Sequence, residues 1–315
     1  MTFYARIAAA SLILAAMGAA ACSPEPETKK QAAAPTPPAA LSHPDIHAFR
    51  IGQIHAVALK DGEIVFPALD RESPWADTAE VSALLTASGE RDGQVRLSIQ
   101  PLLVRDGERV VLIDTGAAGE MGETGKLLAS LRAAGVEPGQ VTDVLISHAH
   151  GDHVGGLAGK DGALVFPNAT IRMSAAEWEY AKAGAAEAGA GPLLAAITPR
   201  VQTFEPGTQV TPSIRAVALA GHTPGHSGYE IVSGTDSLLY IGDAMHSSLI
   251  SVQRPELVNG WDSDAVAGVR TRQGLLERGA SGGQRIYGVH FPFPGLGRFQ
   301  RREDGFVWTA EQATP

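Results

Sequence analysis

A short run of metal-binding residue types constrains the fold of this chain more than any other feature. Residues 147–153 read Ser-His-Ala-His-Gly-Asp-His, so three of the ten histidines fall within six positions. Imidazole nitrogens and a carboxylate are costly to bury together unless a positive group binds them. An exposed polar loop is the plainer interpretation, but so dense a cluster favours a metal site.

The residues around this run predict the backbone structure that carries the histidines. The apolar stretch 141–146 is typical of a buried strand. A strand ending here would place His148 and His150 on one side, because side chains alternate along a strand. The glycine that follows allows a tight backbone path. We therefore expect Asp152 and His153 in a loop directly after the strand.

Further candidate ligands are needed if the run serves more than one ion. Four ligands are too many for a single tetrahedral ion that keeps one position for water. His222 lies in Gly-His-Thr-Pro-Gly-His, Asp243 follows the apolar stretch 238–241, and His290 follows 286–289. The last two come directly after predicted strands, where a rigid scaffold presents side chains to a site.

These segments, taken in order, carry a family resemblance. His-x-His-x-Asp-His, Gly-His-Thr-Pro-Gly-His, Gly-Asp and a late histidine resemble the motifs of the metallo-β-lactamase superfamily, over roughly residues 50–310. Asp114-Thr115-Gly116 matches the Asp-Thr-Gly that precedes the histidine motif in that family. The resemblance implies an α+β fold, a four-layer αβ/βα sandwich of two mixed sheets flanked by helices, with metals at the edge between the sheets.

The same resemblance implies two divalent metal ions. One would be held by His148, His150 and His222. The second would be held by Asp152, His153 and His290, with Asp243 bridging the pair. The donor types favour zinc, with manganese, iron and cobalt as alternatives.

Two such ions predict hydrolysis as the reaction. They would clamp a bridging water and lower its pKa toward about 7, which makes a metal-bridging hydroxide the predicted nucleophile. Asp152 and Asp243 are the predicted catalytic carboxylates, and Asp152 could pass a proton to the leaving group. No serine or cysteine nucleophile is required.

Three residues are expected to support the ligands without binding metal. Asp114 would orient a ligand imidazole, as carboxylates beside metal sites do, and a turn residue at a strand end is the alternative role. His226 and His246 lie next to predicted ligands in the sequence. We expect both to act through hydrogen bonds.

Six aromatic side chains are candidates for contact with substrate. Two lie in a stretch rich in Pro, Asp and Ser, two on a helix predicted over 174–183, and two in the Phe-Pro-Phe-Pro segment that begins after the last histidine. The six are Phe66, Trp75, Trp178, Tyr180, Phe291 and Phe293. Adjacency to His290 favours the final pair. Packing in a secondary core is at least as good an interpretation of Trp178.

The predicted substrate is a small apolar ester. True β-lactamases of the family lack the bridging aspartate, so Asp243 argues against β-lactam cleavage. Residues 290–297, His-Phe-Pro-Phe-Pro-Gly-Leu-Gly, resemble methyl parathion hydrolase and its lactonase relatives. We expect hydrolysis of lactones, such as N-acyl-homoserine lactones, or of carboxylic esters. A phosphotriesterase is the main alternative; the others are a β-lactamase, a flavodiiron-type redox enzyme and a non-catalytic metal-binding lipoprotein.

The amino-terminal segment predicts export. Residues 1–21, with Arg6 before a short apolar stretch, are typical of a signal peptide. Ala-Ala-Ala before Cys22 resembles a lipobox, so this sole cysteine is the predicted lipidation site; ordinary signal cleavage is the alternative. Residues 22–44 predict a disordered Pro/Ala tether, and residues 45–315 a hydrolase domain. The predicted location is the periplasm, at the outer membrane, through a lipid anchor alone.

The net charge bears on partners. At −9 the chain is acidic, and an acidic surface repels phosphate backbones, so we expect no nucleic-acid partner. The expected partner is the small apolar substrate, and a homodimer is left open.

Local patterns predict the main elements. Asp-Gly pairs at 61–62 and 106–107 predict two hairpins, over 49–66 and 97–113. Apolar residues at helical spacing predict a helix over 123–134, and a second is expected over 262–278. Further strands are predicted at 214–219, 229–232, 238–241 and 286–289.

Overall fold

The computed structural model describes residues 43–90, 92–184 and 190–311. The predicted signal peptide, Cys22 and nearly all of the tether lie outside the described residues, so these predictions stay untested. Within the described ranges, no helix has both the length and the apolar character needed to cross a membrane.

The described residues form sixteen strands and seven α-helices. The strands are β1 (Ile46–Ile51), β2 (Ile54–Leu59), β3 (Gly62–Pro67), β4 (Gln94–Ile99), β5 (Leu102–Asp106), β6 (Arg109–Ile113), β7 (Asp143–Leu145), β8 (Thr170–Ser174), β9 (Val201–Phe204), β10 (Gln209–Thr211), β11 (Ile214–Ala218), β12 (Ser227–Ser233), β13 (Asp236–Tyr240), β14 (Arg285–Tyr287), β15 (Leu296–Arg302) and β16 (Gly305–Ala310). The helices are α1 (Thr78–Ala87), α2 (Leu127–Ala133), α3 (Gly151–Val154), α4 (Ala175–Lys182), α5 (Gly191–Ile197), α6 (Ile250–Gln253) and α7 (Ala265–Gly282).

Two seven-stranded mixed sheets carry the fold. The first has the order β1-β2-β5-β6-β7-β8-β9, antiparallel as far as β6 and parallel from β6 to β9. The second has the order β10-β11-β12-β13-β14-β15-β16, with one parallel pair, β13 with β14. Strands β3 and β4 form a separate antiparallel pair.

Alternation along the strands builds the layers. In β13 and just after it, Leu238 and Tyr240 face the core between the two sheets, whereas Leu239 and Ile241 face an outer core that includes Leu275 of α7. The first sheet has its own outer core, which includes residues of α2, α4 and α5. Helix, sheet, sheet and helix therefore lie in four layers, which confirms the predicted α+β sandwich.

Several predicted elements are confirmed with shorter or shifted bounds. The β5–β6 hairpin turns at 106–109, as its Asp-Gly predicts, and the helix expected over 262–278 is α7, which begins and ends a few residues later. The helix predicted over 123–134 is limited to Leu127–Ala133. Helix α4 agrees with the prediction over 174–183.

The hairpin predicted at Asp61-Gly62 is wrong. Strand β2 pairs with β1 instead, through a turn at Gly52, and β3 leaves the sheet to pair with β4. The reason is that the buried Asp61 carboxylate accepts hydrogen bonds from three backbone N–H groups in the segment 117–127. The strand predicted from residue 97 to 104 is likewise two strands in different sheets, because the chain turns between β4 and β5.

The predicted path of the histidine run also needs correction. Strand β7 ends at Leu145, so His148 and His150 lie beyond it. Asp152 and His153 lie in α3, a single helical turn, rather than in a loop. The backbone N–H groups of His153 and Val154 donate to the carbonyl of His150, and this closes the turn.

Candidate metal centre

The candidate site lies where strands from both sheets end. Residues that follow β6, β7, β11, β13 and β14 converge there, and each contributes at least one imidazole or carboxylate. The structure brings all seven predicted ligands together: His148, His150, Asp152, His153, His222, Asp243 and His290. All are buried except His150 and Asp152, which are partly exposed.

Three imidazoles form the first ligand set. The Nδ1 atom of His150 lies 3.0 Å from Nε2 of His148 and 2.9 Å from Nε2 of His222. Nδ1 of His150 can share a proton with only one of these two nitrogens. In the other pair of nitrogens, two lone pairs therefore face each other. Nitrogens bound tetrahedrally at about 2.0–2.1 Å from zinc lie roughly 3.3 Å apart, which is close to the spacing seen here.

The second ligand set combines two imidazoles and two carboxylates. Nε2 of His153 and Nε2 of His290 lie 3.1 Å and 3.0 Å from Oδ1 of Asp243. Oδ2 of Asp152 lies 3.4 Å and 3.6 Å from the same two nitrogens. The four donors thus surround a common point.

Asp243 belongs to both sets. Its Oδ1 atom faces His153 and His290, whereas Oδ2 lies 3.7 Å from Nε2 of His148 and 3.5 Å from Nε2 of His222, and also 3.1 Å from Nε2 of His290. A carboxylate that offers one oxygen to each set can bridge two ions. This is the role that the sequence resemblance implies for Asp243.

Unpartnered buried atoms support a cation site at the second ligand set. Nε2 of His153 and Oδ1 of Asp243 have no hydrogen-bond partner of adequate geometry among the described residues. Buried polar atoms are normally paired, so two such atoms aimed at one point are typical of atoms that bind a cation. Together with the first set, the donors therefore fit two divalent ions.

The pKa values of the imidazoles differ between the two sets. Burial, reinforced by His222, lowers the pKa of His150 to about 4, and burial with His153 holds the pKa of His148 well below its ordinary value. These imidazoles are neutral and can donate lone pairs. Burial also disfavours charge on His153 and His290, but Asp243 and its neighbours raise both pKa values above the ordinary value. The carboxylates of the second set therefore favour positive charge at this point, whereas His148 and His150 of the first set are electrically neutral.

Asp114 supports the second set. Its Oδ2 atom is 2.7 Å from Nδ1 of His153, and it also accepts from the hydroxyls of Ser147 and Tyr240. Oδ1 accepts from the backbone N–H of Ser147 at 2.7 Å. Asp114 has a φ of 60°, a conformation uncommon outside glycine. Its hydrogen bonds hold this backbone in place, so Asp114 orients a ligand imidazole in the predicted way.

His226 supports the bridging residue. Its Nδ1 lies 3.0 Å from the carbonyl of Leu219, so Nδ1 carries the proton and Nε2 accepts from the backbone N–H of Asp243 at 2.9 Å. Burial and His222 lower the pKa of His226 to about 3, which keeps it neutral. Gly242 has a φ of 48°, and a Cβ there would overlap the His226 ring.

His246 lies beside the same carboxylate. The Oδ1 atom of Asn259 accepts from the backbone N–H of Trp261, so its Nδ2 faces Nδ1 of His246 at 2.9 Å. Nδ1 must then accept, which leaves the proton on Nε2, 3.2 Å from Oδ2 of Asp243. This geometry suits a hydrogen-bond donor to the bridging residue, although His246 also forms, with His222 and Asp243, a third group whose ligand atoms lie close enough to hold an ion.

Two further supports were not predicted from the sequence. Oδ1 of Asp262 lies 3.4 Å from Nδ1 of His222, an electrostatic contact without hydrogen-bond geometry, and Oδ2 accepts from the buried guanidinium of Arg272 at 2.7 Å. The carbonyl of Ser98 accepts from Nδ1 of His290 at 2.9 Å. Asp262 and Ser98 are distant in the sequence from the histidines that they contact. Neither lies in a sequence motif that would predict this role.

A cavity of about 360 Å³ opens onto the cluster. Its floor is formed by ligands of both sets together with His246, and its walls are apolar: Ile64, Phe66, Leu97, Met121 and Trp261. Among the described residues that line it, none is a lysine or an arginine. The cavity therefore suits an uncharged, apolar molecule.

The six predicted substrate contacts lie at different distances from the cavity. Phe66 lines the cavity and packs edge-on against Trp261, with ring centroids 4.8 Å apart. Trp75 is buried behind Trp261, with centroids 6.0 Å apart. Trp261 was missed because its surroundings, Asn-Gly-Trp-Asp, indicate only a turn.

The other four predicted contacts are not among the residues lining the cavity. Trp178 packs against the outer core of the first sheet, and Tyr180 lies on the same helix. Phe291 is fully buried in the outer core of the second sheet. Phe293 lines a neighbouring cavity. Adjacency to His290 misled the prediction because Gln100 donates to the carbonyls of Gly288 and Phe291 and folds this segment away from the cluster.

Comparison with known proteins agrees with this geometry. The family model of the metallo-β-lactamase superfamily matches residues 96–267. A search of curated proteins gave no match.

Similar solved structures include lactonases. AidC, a dizinc quorum-quenching lactonase in complex with a product, N-hexanoyl-L-homoserine, has 30% sequence identity and a TM-score of 0.79, over 86% of this chain and 98% of its own. The hydrolase AbOPH of the β-lactamase superfamily has 31% identity and a TM-score of 0.77, over 86% and 99%. An N-acyl homoserine lactone hydrolase, with N-hexanoyl-L-homoserine bound at the catalytic metal centre, has 20% identity and a TM-score of 0.57, over 79% and 100%, a likeness of fold alone.

Proposed function

The chain belongs to the metallo-β-lactamase superfamily, and on that premise we propose that it is a dinuclear metal-dependent hydrolase of lactones or carboxylic esters. The observation that carries the proposal is the Asp243 carboxylate, which offers one oxygen to each of two ligand sets at the floor of an apolar cavity. AidC, which is similar over 98% of its own length, is a dizinc lactonase.

The chemistry follows from the donor set. When bound, two divalent ions would supply a nucleophile at neutral pH and Lewis acidity toward a carbonyl oxygen. The chain's own groups would then bind, orient and transfer protons. The apolar walls would exclude water and hold an uncharged acyl chain, while Asp152, partly exposed on the cavity floor, could pass a proton to the leaving alkoxide.

The cavity lining bears on the alternatives. A β-lactam carries a carboxylate that a positive side chain would recognise, and the described lining residues include no lysine or arginine. A neutral phosphotriester fits the same apolar cavity, so phosphotriesterase activity is the second candidate. A lactone ranks first because AidC, which is 30% identical over 98% of its own length, is a lactonase.

A hydrolysis screen with metal analysis tests the proposal. The mature protein would be assayed on N-acyl-homoserine lactones of varied chain length, aryl esters and a phosphotriester, with the metal content measured on the same sample. We expect about two metal equivalents and the highest kcat/KM on a lactone or ester. A rate on the phosphotriester that is higher by orders of magnitude, or no turnover of any substrate, would contradict the proposal.

Asp243→Asn provides the matched variant. It keeps the size of the side chain but removes the charge that two cations would share. We expect a loss of at least 100-fold in kcat/KM and a fall in metal content, with an unchanged circular dichroism spectrum. Wild-type activity in this variant would show that Asp243 does not bridge the ions.

A further inference from the structure

Helix α4 reaches the candidate metal centre through Glu177, the residue immediately before Trp178. Glu177, on its first turn, is fully buried, whereas Trp178 and Glu179 face away. A buried carboxylate is costly unless its oxygens accept hydrogen bonds. The partners of Glu177 therefore indicate what it does.

The two carboxylate oxygens of Glu177 bond to two different ligand loops. Oε1 accepts from the backbone N–H of Ala149, which lies between His148 and His150, at 2.8 Å. Oε2 accepts from the hydroxyl of Thr223, next to His222, at 2.6 Å. One side chain thus connects the loops that supply all three histidines of the first ligand set.

The first turn of α4 is docked on the same loops by its backbone. The hydroxyl of Ser174 accepts from the backbone N–H of Glu177 at 3.0 Å and donates to the carbonyl of Gly225 at 2.7 Å. A Cβ at Gly225 would overlap the backbone of Glu177, so glycine permits this close approach. The backbone of Glu177 is therefore held in place against the loop that contains Gly225, and its side chain cannot move far from its two partners.

We propose that Glu177 is a positioning residue that sets the spacing of His148 and His150 from His222, and thereby the metal affinity of the three-histidine set. This inference rests on the proposed dinuclear function. The second set is held by different groups, Asp114 and the carbonyl of Ser98. Loss of Glu177 should therefore weaken one of the two ions selectively.

Glu177→Gln is the sharpest variant. A carboxylate accepts at both oxygens, but an amide accepts at only one. If the amide oxygen accepts from Ala149, the amide NH₂ faces Thr223, whose hydroxyl must then turn and accept instead of donating. Groups that orient metal ligands typically contribute 10- to 100-fold in metal affinity. We expect Glu177→Gln to bind one of two ions about 10- to 100-fold more weakly, and to keep one equivalent after dialysis against a chelator that leaves two on the wild type.

The readouts separate positioning from a merely structural role. Melting temperatures would be measured with and without metal, and cobalt-substituted protein would show by its absorption spectrum whether the nitrogen-rich set is the one emptied. We expect a smaller metal-dependent rise in melting temperature in Glu177→Gln. An equal drop in melting temperature with and without metal, with unchanged metal affinity, would overturn the proposal.

Matched variants complete the test. Glu179→Gln, on the same helix, alters an exposed residue that pairs with Lys182, and it should keep wild-type metal affinity. If Glu177→Gln fails to fold, Thr223→Val removes one of the two bonds alone, and unchanged metal affinity there would overturn the proposal. A wild-type protein that binds fewer than two ions would instead contradict the proposed function.

Discussion

At the scale of single residues, the site separates metal-binding atoms from the groups that aim them. His226 shows this division clearly, because its proton lies on the nitrogen that faces the carbonyl of Leu219 and its lone pair holds the backbone of Asp243. His246 has the opposite arrangement and donates to the carboxylate of the same residue. These two buried supporting histidines thus have different tautomers, because their hydrogen-bond partners differ.

The cavity wall yields a prediction at the same scale. Trp261 lines the cavity and packs against Phe66, whereas Trp178 packs in an outer core. Each CH₂ group buried from water contributes about 0.8 kcal/mol, so two or three methylenes covered by the ring contribute about 1.5–2.5 kcal/mol. We therefore expect Trp261→Ala to lower kcat/KM by roughly 10- to 100-fold for a medium-chain acyl lactone, and by less for a short-chain one.

Trp178→Ala is the control for that measurement. It removes a ring of the same size that does not line the cavity, so the ratio of rates on long and short acyl chains should stay at the wild-type value. A change in this ratio in Trp178→Ala, or an unchanged ratio in Trp261→Ala, would contradict the inference that Trp261 contacts the acyl chain.

At the scale of elements, the buried Asp61 fixes the direction of the backbone after β2. Asp61 is fully buried, and its carboxylate accepts from the backbone N–H groups of Ala117, Gly125 and Leu127. Leu127 is the first residue of α2, whose own N-cap residue, Lys126, makes no side-chain cap. Asp61 thus caps a helix that begins more than sixty residues later. The β3–β4 pair, which supplies cavity walls, starts from this anchor.

The same residue gives a stability prediction. Asp61→Ala would leave three backbone donors without their acceptor, and each buried donor costs about 1–3 kcal/mol if water does not replace the bond. Allowing for some access of water, we expect a loss of about 3 kcal/mol in the free energy of unfolding, measured by urea denaturation. Asp61→Asn, which keeps acceptor capacity at one oxygen, should lose less. A change below about 0.5 kcal/mol in Asp61→Ala would contradict this role.

At the scale of the whole molecule, the candidate centre joins the two halves of the sandwich. Strands β6 and β7 of the first sheet and β13 and β14 of the second sheet end at it. Ions bound there would be held by both sheets in the folded state, and the unfolded chain would offer no such set. Metal binding should therefore stabilise the entire fold.

Metal removal tests this coupling. A free metal concentration about 100 times the dissociation constant stabilises the folded state by about 2.7 kcal/mol. For a domain of this size that corresponds to roughly 5–10 °C in melting temperature. We expect chelation followed by gel filtration to lower the melting temperature by this amount, and zinc to restore it. Asp243→Asn should show a smaller shift, and an equal shift would indicate binding elsewhere.

The ligands and the architecture were accessible from the sequence for a physical reason. Metal-binding side chains lie in short motifs directly after apolar strands, and both signals are local, so His148, Asp243 and His290 stand out without coordinates. The apolar strands are recognised in the same way, and the family resemblance that the motifs carry implies their arrangement in two sheets with helices outside. Chemistry and layer order are therefore encoded in neighbouring residues.

The supports and the cavity walls required the tertiary fold. Glu177, Trp261 and Asp262 act on partners that are distant in the chain, and their local patterns indicate only a helix start or a turn. The pairing of β3 with β4 depends on Asp61 finding its donors far along the chain. A hydrogen bond forms only where folding brings donor and acceptor within about 3 Å, and no local pattern states which distant groups will meet.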